Sequence, residues 1–138
     1  KPAPPASVPP PPVIPDAVRD ALRELQALSG FQAAALVDEA RERCLLWHGD
    51  GAVAIDKIAA CAAIVLREVR IALHQLAVSD PVVSIAEMLE DQLYLLHPLQ
   101  AHPSLFLLLI LQRSTSVLAL AQFALADLEP RIQLEAPP

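Results

Sequence analysis

The sequence of 138 residues contains little glycine, cysteine and aromatic side chain, and its acidic residues outnumber its basic ones. The three glycines, Gly30, Gly49 and Gly51, form neither a phosphate-binding loop nor a G-x-G-x-x-G fingerprint, so we expect no nucleotide site of either type. Two cysteines are too few for a disulfide framework and suit a reducing compartment. A net charge of −6, from ten basic and sixteen acidic residues, argues against binding to nucleic acid or to anionic lipid.

No stretch of the sequence is apolar for long enough to cross a membrane as a helix. The longest uninterrupted apolar runs, Ile58–Leu66 and Leu105–Leu111, have nine and seven residues, whereas a spanning helix needs about 20. The amino-terminal segment lacks the profile of a signal peptide. It also has no initiator Met, so we expect an excised or processed fragment, which leaves a larger parent protein open. Apolar residues still make up 54% of the chain, which predicts a buried core.

Proline is plentiful at one end of the chain. Eight of the fourteen prolines lie in residues 1–15, where fixed φ angles and missing N–H donors exclude a helix or a central strand. Such a run can be a ligand for a proline-binding module, but this composition more often marks a linker. We therefore predict a proline-rich disordered linker over residues 1–15, one domain over residues 16–132 and a tail over residues 133–138.

Hydrophobic periodicity and breaker residues predict the order helix, two strands, long helix, three strands, helix. The first helix begins at Asp16 as its N-cap and ends at the stop signal Ser29-Gly30. The long helix covers Val53–Val78, and Ser114-Thr115-Ser116 caps the last helix. The five predicted strands are Phe31–Val37, Cys44–Trp47, Val82–Ala86, Leu93–Leu96 and Leu105–Leu111.

The long helix is apolar on more than one side. One stripe at three- and four-residue steps includes Ile55, Ile58 and Leu66, and a second flank includes Ile64 and Ile71. The alanines between them would let another helix approach closely. This pattern fits a central helix buried within one chain, but in so small a domain we favour a helix shared across a dimer.

Cysteine and histidine offer few candidates for chemistry. Cys44 and Cys61 have apolar neighbours and no CxxC spacing, so we predict buried, inert thiols rather than metal ligands acting with His48. A nucleophile pair of Cys61 and His74 is excluded, because thirteen residues of one predicted helix separate them by about 20 Å. Cys44 with His74 is not excluded by distance.

Three further groups of polar residues have a functional and a plainer interpretation. His97 and His102 flank a proline-bounded loop, where they could bind a metal, but a solvated hairpin tip is favoured. Arg67 and Arg70 could supply an arginine finger to a GTPase, but a solvated helix flank is favoured. The acidic residues at a predicted strand end could act as paired carboxylates or as a docking surface, but a solvated turn is favoured. They are Glu87, Glu90 and Asp91.

Four segments, together with the element order, resemble the Roadblock family of small dimeric domains (dynein light chain Roadblock-type). The segment Gly30–Asp38 is similar to the family's glycine, first strand and acidic turn. The break Gly49-Asp50-Gly51 before the alanine-rich helix Ile58–Leu66 is also similar to the family's pattern. Leu93–Leu99 resembles the fourth strand with its proline-containing turn, and Leu105–Leu111 resembles the fifth strand. The resemblance covers about residues 16–132.

The resemblance implies an α+β fold, an α/β sandwich, with a five-stranded antiparallel sheet in the order 2-1-5-4-3. The long helix would cover one face and the two terminal helices the other. It also implies a homodimer, in which the third strands, Val82–Met88, pair edge to edge and the long helices, Ile55–Leu76, pack side by side. An open sheet edge gives that pairing a physical motive. The residues predicted at the dimer interface are Ile55, Ala59, Ala62, Leu66, Val69, Leu73, Val82, Val83 and Ile85.

The function implied by the resemblance is of two kinds. Some bacterial members of the family bind and activate a Ras-like small GTPase as a dimer, and others are scaffolds that join cargo, motor or membrane complexes. The resemblance therefore predicts a non-enzymatic, cytoplasmic homodimer that regulates a small GTPase, with no catalytic residue, cofactor or metal. The alternative is a dimeric scaffold tethered by its proline-rich arm. A thiol- or metal-dependent enzyme is a third hypothesis, and the missing residue constellations count against it.

Overall fold

A computed structural model describes residues 12–134 of the chain, and the elements within these residues follow the predicted order. The helices are α1 (Asp16–Glu24), α2 (Ile55–Gln75) and α3 (Leu118–Leu128), and the strands are β1 (Phe31–Asp38), β2 (Arg43–Gly49), β3 (Ile85–Met88), β4 (Gln92–Pro98) and β5 (Leu105–Gln112). Short 3-10 turns follow α1, precede α3 and follow α3.

The five strands form one antiparallel sheet in the order β2-β1-β5-β4-β3, which confirms the predicted topology. β5 lies at its centre, paired with β1 on one side and β4 on the other. Every residue of Leu105–Leu111 is buried. A strand that is covered on both faces needs apolar side chains on both, which explains why this run is continuous rather than alternating.

Alternate side chains of each strand divide the sheet into two apolar faces. Phe106 and Leu108 face α2, whereas Leu107 faces α1 and α3. β1 is rich in alanine, which is usually depleted in strands. Here Ala33 and Ala35 belong to the same core layer as the alanines of α2, and these small side chains let the helix lie close to the sheet. The core therefore has two layers, and α2 is the one helix of residues 12–134 that covers the second face.

The first helix is shorter than predicted and is capped differently. Its N-cap is Pro15, whose carbonyl oxygen accepts a hydrogen bond from the N–H of Val18 at 3.0 Å, so the prediction of Asp16 as N-cap is wrong. Asp16 instead lies in the first turn, where its charge suits the helix dipole. The α-helix ends at Glu24 and continues as a 3-10 turn to Ala27, before the predicted end at Ser29.

The predicted cap of the last helix is also wrong. The N-cap of α3 is Val117. The Ser116 hydroxyl donates to the carbonyl oxygen of Arg113 at 3.1 Å, and the Thr115 hydroxyl donates to the side chain of Gln112 at 3.2 Å. These hydroxyls therefore close the preceding 3-10 turn, and no side chain in the described part of the chain caps the first turn of α3.

The third strand starts three residues later than predicted, at Ile85 instead of Val82. In the register of β3 with β4, Ile85 lies opposite Leu96, which would place Val83 opposite Pro98. Proline has no N–H to donate to a ladder, so pairing ends before this point.

Two residues beyond the predicted domain boundaries pack against the core. Ile14 and Leu134 both contact the apolar layer beneath α1 and α3, and Val13 forms an isolated β-bridge. The domain contacts therefore reach into the segments predicted to be a linker and a tail. The remainder of those two predictions falls on residues 1–11 and 135–138, which lie outside the described part of the chain.

Candidate protein-binding site

The inner side of α2 packs against the sheet of its own protomer. Its residues recur there at three- and four-residue steps and join the core layer of β1 and β5. Four of the residues predicted at the dimer interface lie on this side and are at most 5% exposed. A side chain without free surface has none to offer to a second chain, so the structure removes these four from the predicted interface. They are Ile55, Ala59, Ala62 and Leu66.

One flank of α2 is polar and is tied to the β1–β2 turn. Arg67 forms an ion pair with Glu42, with Nη1 and Oε1 3.3 Å apart, and its Nη2 donates to the carbonyl oxygen of Glu39 at 3.1 Å. Arg70 forms an ion pair with the carboxylate of Glu39, which is buried. Both arginine side chains stay partly exposed, 42% for Arg67 and 37% for Arg70, so the flank is solvated as predicted and is also paired with the β1–β2 turn.

The opposite flank of α2 carries Ile58, Cys61 and Val65, and we call these three residues the apolar flank. It overhangs the outer half of the sheet and forms a cleft of about 240 Å³ with Glu87 of β3 and Tyr94 of β4. Cys61 is exposed, and Ile58 and Val65 are half-buried. The cleft therefore presents an apolar wall beside the edge of the sheet.

The acidic residues near this cleft are in two different environments. Glu87 lies in β3, where burial raises the pKa of its carboxyl group, so the prediction of a solvated turn is wrong for this residue. Glu90 and Asp91 are exposed in the β3–β4 turn, as predicted. The pKa of the Tyr94 hydroxyl is raised by burial and then by the charges of Glu87 and Cys61.

β3 forms an edge of the sheet and, within residues 12–134, pairs with β4 alone. An edge strand presents unpaired N–H and C=O groups that can pair with another chain. Val83 and Met88 beside this edge are 65% and 57% exposed. The predicted interface residues that keep free surface are Val69, Leu73, Val82, Val83 and Ile85.

The side of α2 that faces away from the sheet is also partly apolar. Ile64 and Ile71 are 46% and 45% exposed and lie seven residues, or about two turns, apart, so they share one side of the helix. We call this pair the outer row. The predicted interface omits both the outer row and Cys61. The sequence could have located Cys61, Ile64 and Ile71, because their spacing from the alanines of α2 places them on other sides of the helix.

The two thiols differ from each other and, in part, from the prediction. Burial raises the pKa of Cys44 to about 12, with a further contribution from Asp56, and its Sγ lies 4.0 Å from the carbonyl oxygen of Ile55. This agrees with an inert thiol, whereas the prediction of a buried Cys61 is wrong because that residue is exposed. His74 lies nineteen residues beyond Ile55 on α2, or about 28 Å. That distance excludes a nucleophile pair of Cys44 and His74 within one chain.

Two of the histidines, His97 and His48, contact side chains of other elements. His97 is 5% exposed in β4, and its Nε2 lies 2.6 Å from Oε1 of Glu129, so the prediction of a solvated hairpin tip is wrong for His97. His48 contacts the side chain of Gln26 at 2.8 Å. Among residues 12–134, no three His, Cys, Asp or Glu side chains lie close enough together to hold a metal ion. None of the helices in this part of the chain is both long and apolar enough to span a membrane.

Solved structures of Roadblock domains share this architecture. The Roadblock/LC7 domain from Streptomyces avermitilis matches with a TM-score of 0.70 and 19% identity, over 86% of this chain and 93% of that one. The gliding protein MglB from Thermus thermophilus matches with a TM-score of 0.68 and 17% identity, over 89% and 98%. Myxococcus xanthus MglB matches with a TM-score of 0.73 and 11% identity, over 84% of each chain. No protein-family model and no curated protein matches the sequence. The chain therefore has the Roadblock fold.

Proposed function

We propose that the chain is a non-enzymatic homodimer that binds a Ras-like small GTPase and regulates it. The observation that carries the proposal is the position of the apolar flank of α2 directly beside the open edge of β3. Within the described protomer β3 has no strand on its outer side and the apolar flank keeps exposed surface, so one second copy of the chain would cover both. The Roadblock fold and the resemblance described above support this arrangement.

In the proposed dimer, the β3 strands of two protomers pair edge to edge and extend the sheet across a two-fold axis. The apolar flanks of the two α2 helices then meet above this junction, with Val83 and Ile85 beside it. Burial of one Val or Ile side chain contributes about 1.5–3 kcal/mol. Side chains that are already half-buried contribute only part of this, so the dimer would rely on several of them from each protomer together with the strand pairing.

The dimer would present the outer rows of its two α2 helices as one surface. Ile64 and Ile71 on each helix provide its apolar part. Such a surface suits a single protein partner, and by the resemblance a Ras-like small GTPase is the leading candidate. By the same resemblance, the dimer would act by repositioning the GTPase's own groups. We place the protein in the cytoplasm, where an exposed thiol such as Cys61 stays reduced.

A scaffold is the second candidate function. It would keep the same dimer but use the proline-rich arm to join larger protein complexes. The arm's composition, eight prolines in residues 1–15, favours it, because proline-rich segments act as semi-rigid tethers. We propose neither a nucleic-acid partner nor a cofactor for either function.

The first test is the mass of the protein by light scattering, alone and with a Ras-like small GTPase from the same genome. Cys61→Arg places a charge on the apolar flank at an exposed position, so the protomer should fold normally and dimerise at least about tenfold more weakly. His74→Arg is the matched control, because His74 is also exposed and lies on the other side of α2.

The GTPase is tested in both nucleotide states. Capture of the GTP form alone supports the regulator and leads to a measurement of hydrolysis. A dimer that binds neither form favours the scaffold. If the wild-type protein and Cys61→Arg have the same mass, the apolar flank is not the dimer contact.

A further inference from the structure

The last helix of the domain, α3, is apolar on both of its sides. Ala121, Leu125 and Leu128 are buried against the sheet. On the side that faces away from the core, Leu120 and Phe123 are 60% and 71% exposed. A helix that is apolar all round normally lies within a core, and adjacent exposed large apolar side chains mark a contact surface. We call Leu120 and Phe123 the α3 patch.

The two ends of α3 have complementary charge. The first turn contains no acidic residue and, in the described chain, receives no side-chain cap, so its free N–H groups keep their partial positive charge. Asp127 lies in the last turn, where a negative charge is unfavourable to its own helix dipole. Asp127 also lies seven residues from Leu120, which places it on the same side of the helix as the α3 patch.

We propose that α3 forms a second interface, in which the α3 patches of two copies of this chain pack antiparallel about a two-fold axis. With Phe123 at the axis, Asp127 of one copy lies opposite Ala119 of the other, because both residues are four positions from Phe123. Ala119 is small and lies in the uncapped first turn, so the carboxylate can approach the free N–H groups there. Each copy thereby supplies the acceptor that the other lacks, and the contact is self-complementary.

A second copy of the chain fits these charges better than a membrane surface does. Asp127 lies on this side of α3 and interacts with Arg131 of the same chain, so this end of the helix carries no excess positive charge for anionic lipid. The whole chain carries a net charge of −6, which anionic lipid would repel. The α3 interface is also compatible with the proposed dimer, because α3 and α2 cover opposite faces of the sheet. A protein that uses both interfaces would assemble as four chains.

The experiment is light scattering of the full chain over a range of concentrations. Phe123→Glu places a charge at the centre of the α3 patch and should weaken the α3 contact at least about tenfold. Gln122→Glu introduces the same charge at an exposed neighbouring position outside the patch and serves as the control. Circular dichroism and the melting temperature establish that each variant is folded.

If both interfaces form, the wild-type protein has the mass of four 14.8-kDa chains. Phe123→Glu and Cys61→Arg each break one interface, so each variant has the mass of two chains. The double variant has the mass of one chain. If the α2–β3 dimer fails and the α3 interface stands, the wild-type mass is that of two chains, Phe123→Glu gives one, and Cys61→Arg has no effect. If Phe123→Glu has the same mass as the wild-type protein, the α3 interface is overturned. The α3 patch would then be exposed to solvent or bind a different partner.

A charge exchange tests the antiparallel arrangement. Ala119→Asp places a carboxylate in the first turn, where it suits the helix dipole and should stabilise the folded protomer. It should nevertheless weaken self-association about tenfold, because two carboxylates would then face each other. Asp127→Lys should also weaken association, and the two changes combined should restore it. If Ala119→Asp weakened association only by damaging the fold, it would lower the stability of the protomer as well as its association. Unchanged association in Ala119→Asp, or no recovery in the double variant, overturns the arrangement.

Discussion

His97 and Glu129 join the middle of the sheet to the chain that follows α3. Nε2 of the buried His97 lies 2.6 Å from Oε1 of Glu129, and Oε2 of the same carboxylate accepts a hydrogen bond from the N–H of Gln100 at 3.0 Å. One carboxylate therefore holds both β4 and the start of the β4–β5 loop. Burial alone would raise the pKa of Glu129, but the Gln100 and His97 contacts outweigh it and lower that pKa below its usual value.

This linkage predicts that Glu129 stabilises the domain at neutral pH and that the stabilisation is lost in acid. Because the pKa of Glu129 is lower in the folded chain than in the unfolded one, its contribution is complete above about pH 5 and disappears as the pH falls through the folded pKa. Glu129→Gln should reduce the free energy of unfolding at pH 7 by about 1–2 kcal/mol. Urea unfolding at pH 7 and at pH 3 measures both values.

The control is Glu90→Gln, which removes the same charge from an exposed turn. The difference in the free energy of unfolding between Glu129→Gln and the wild type should be smaller at pH 3 than at pH 7. Glu90→Gln should have the same free energy of unfolding as the wild type at both pH values. A difference that is equally large at both pH values would show that the cost comes from packing instead of the charge.

Gly49 at the end of β2 should tolerate no side chain. Its φ is +140°, and a Cβ would lie 2.4 Å from the carbonyl oxygen of Gln32 and 2.6 Å from Cα of Ala33. Both atoms belong to the backbone of β1, so neither can move aside cheaply. We expect Gly49→Ala to lower the free energy of unfolding by about 2 kcal/mol or more. Gly51→Ala, where a Cβ would meet nothing within 4 Å, should be neutral or slightly stabilising, and equal losses at the two positions would contradict this explanation.

The sequence predicted the order of the elements because each element has its own local signal. The continuous apolar run Leu105–Leu111 indicates a central strand, and the pair Gly49 and Gly51 separates β2 from α2. The ends of the elements were less predictable because they depend on distant residues. β3 starts at Ile85 because its register would place Val83 opposite Pro98, and Val117 is an N-cap because the Ser116 hydroxyl binds the preceding turn.

The candidate binding site was only partly predictable. Hydrophobic periodicity indicates that α2 has two apolar sides, but it does not say which side meets the chain's own sheet. Ala59 and Leu66 are buried, whereas Cys61 and Ile64 are exposed, because the sheet residues that meet α2 come from distant parts of the sequence. The hydrogen bond from Arg67 to Glu39 likewise spans 28 residues of sequence, so neither contact leaves a local signal.

The two thiols should react very differently with a thiol reagent at pH 8. A pKa of about 12 leaves about one in ten thousand Cys44 side chains as the reactive thiolate. Cys61 is exposed and should be alkylated first, so mass spectrometry after iodoacetamide treatment should find the label there. In the proposed dimer Cys61 is covered, so its labelling rate should fall as the protein concentration rises. A rate that is independent of concentration would argue against the apolar flank as the contact, and Cys44 in denaturant supplies the fully reactive reference.

The outer row of α2 should affect the partner and leave the protomer fold unchanged. Ile64 is 46% exposed on the side of α2 away from the sheet, so Ile64→Asp should change the free energy of unfolding by less than about 0.5 kcal/mol. The same charge within an apolar contact should weaken binding of the GTP-loaded GTPase by at least about tenfold, measured by isothermal titration calorimetry. Trp47→Asp is a control of similar exposure, 44%, at the far edge of the sheet, and should bind as the wild type does. If Ile64→Asp binds the GTPase as tightly as the wild type does, the outer row is not the docking surface. If Ile64→Asp has the mass of one chain where the wild type has the mass of a dimer, Ile64 belongs to the contact between protomers.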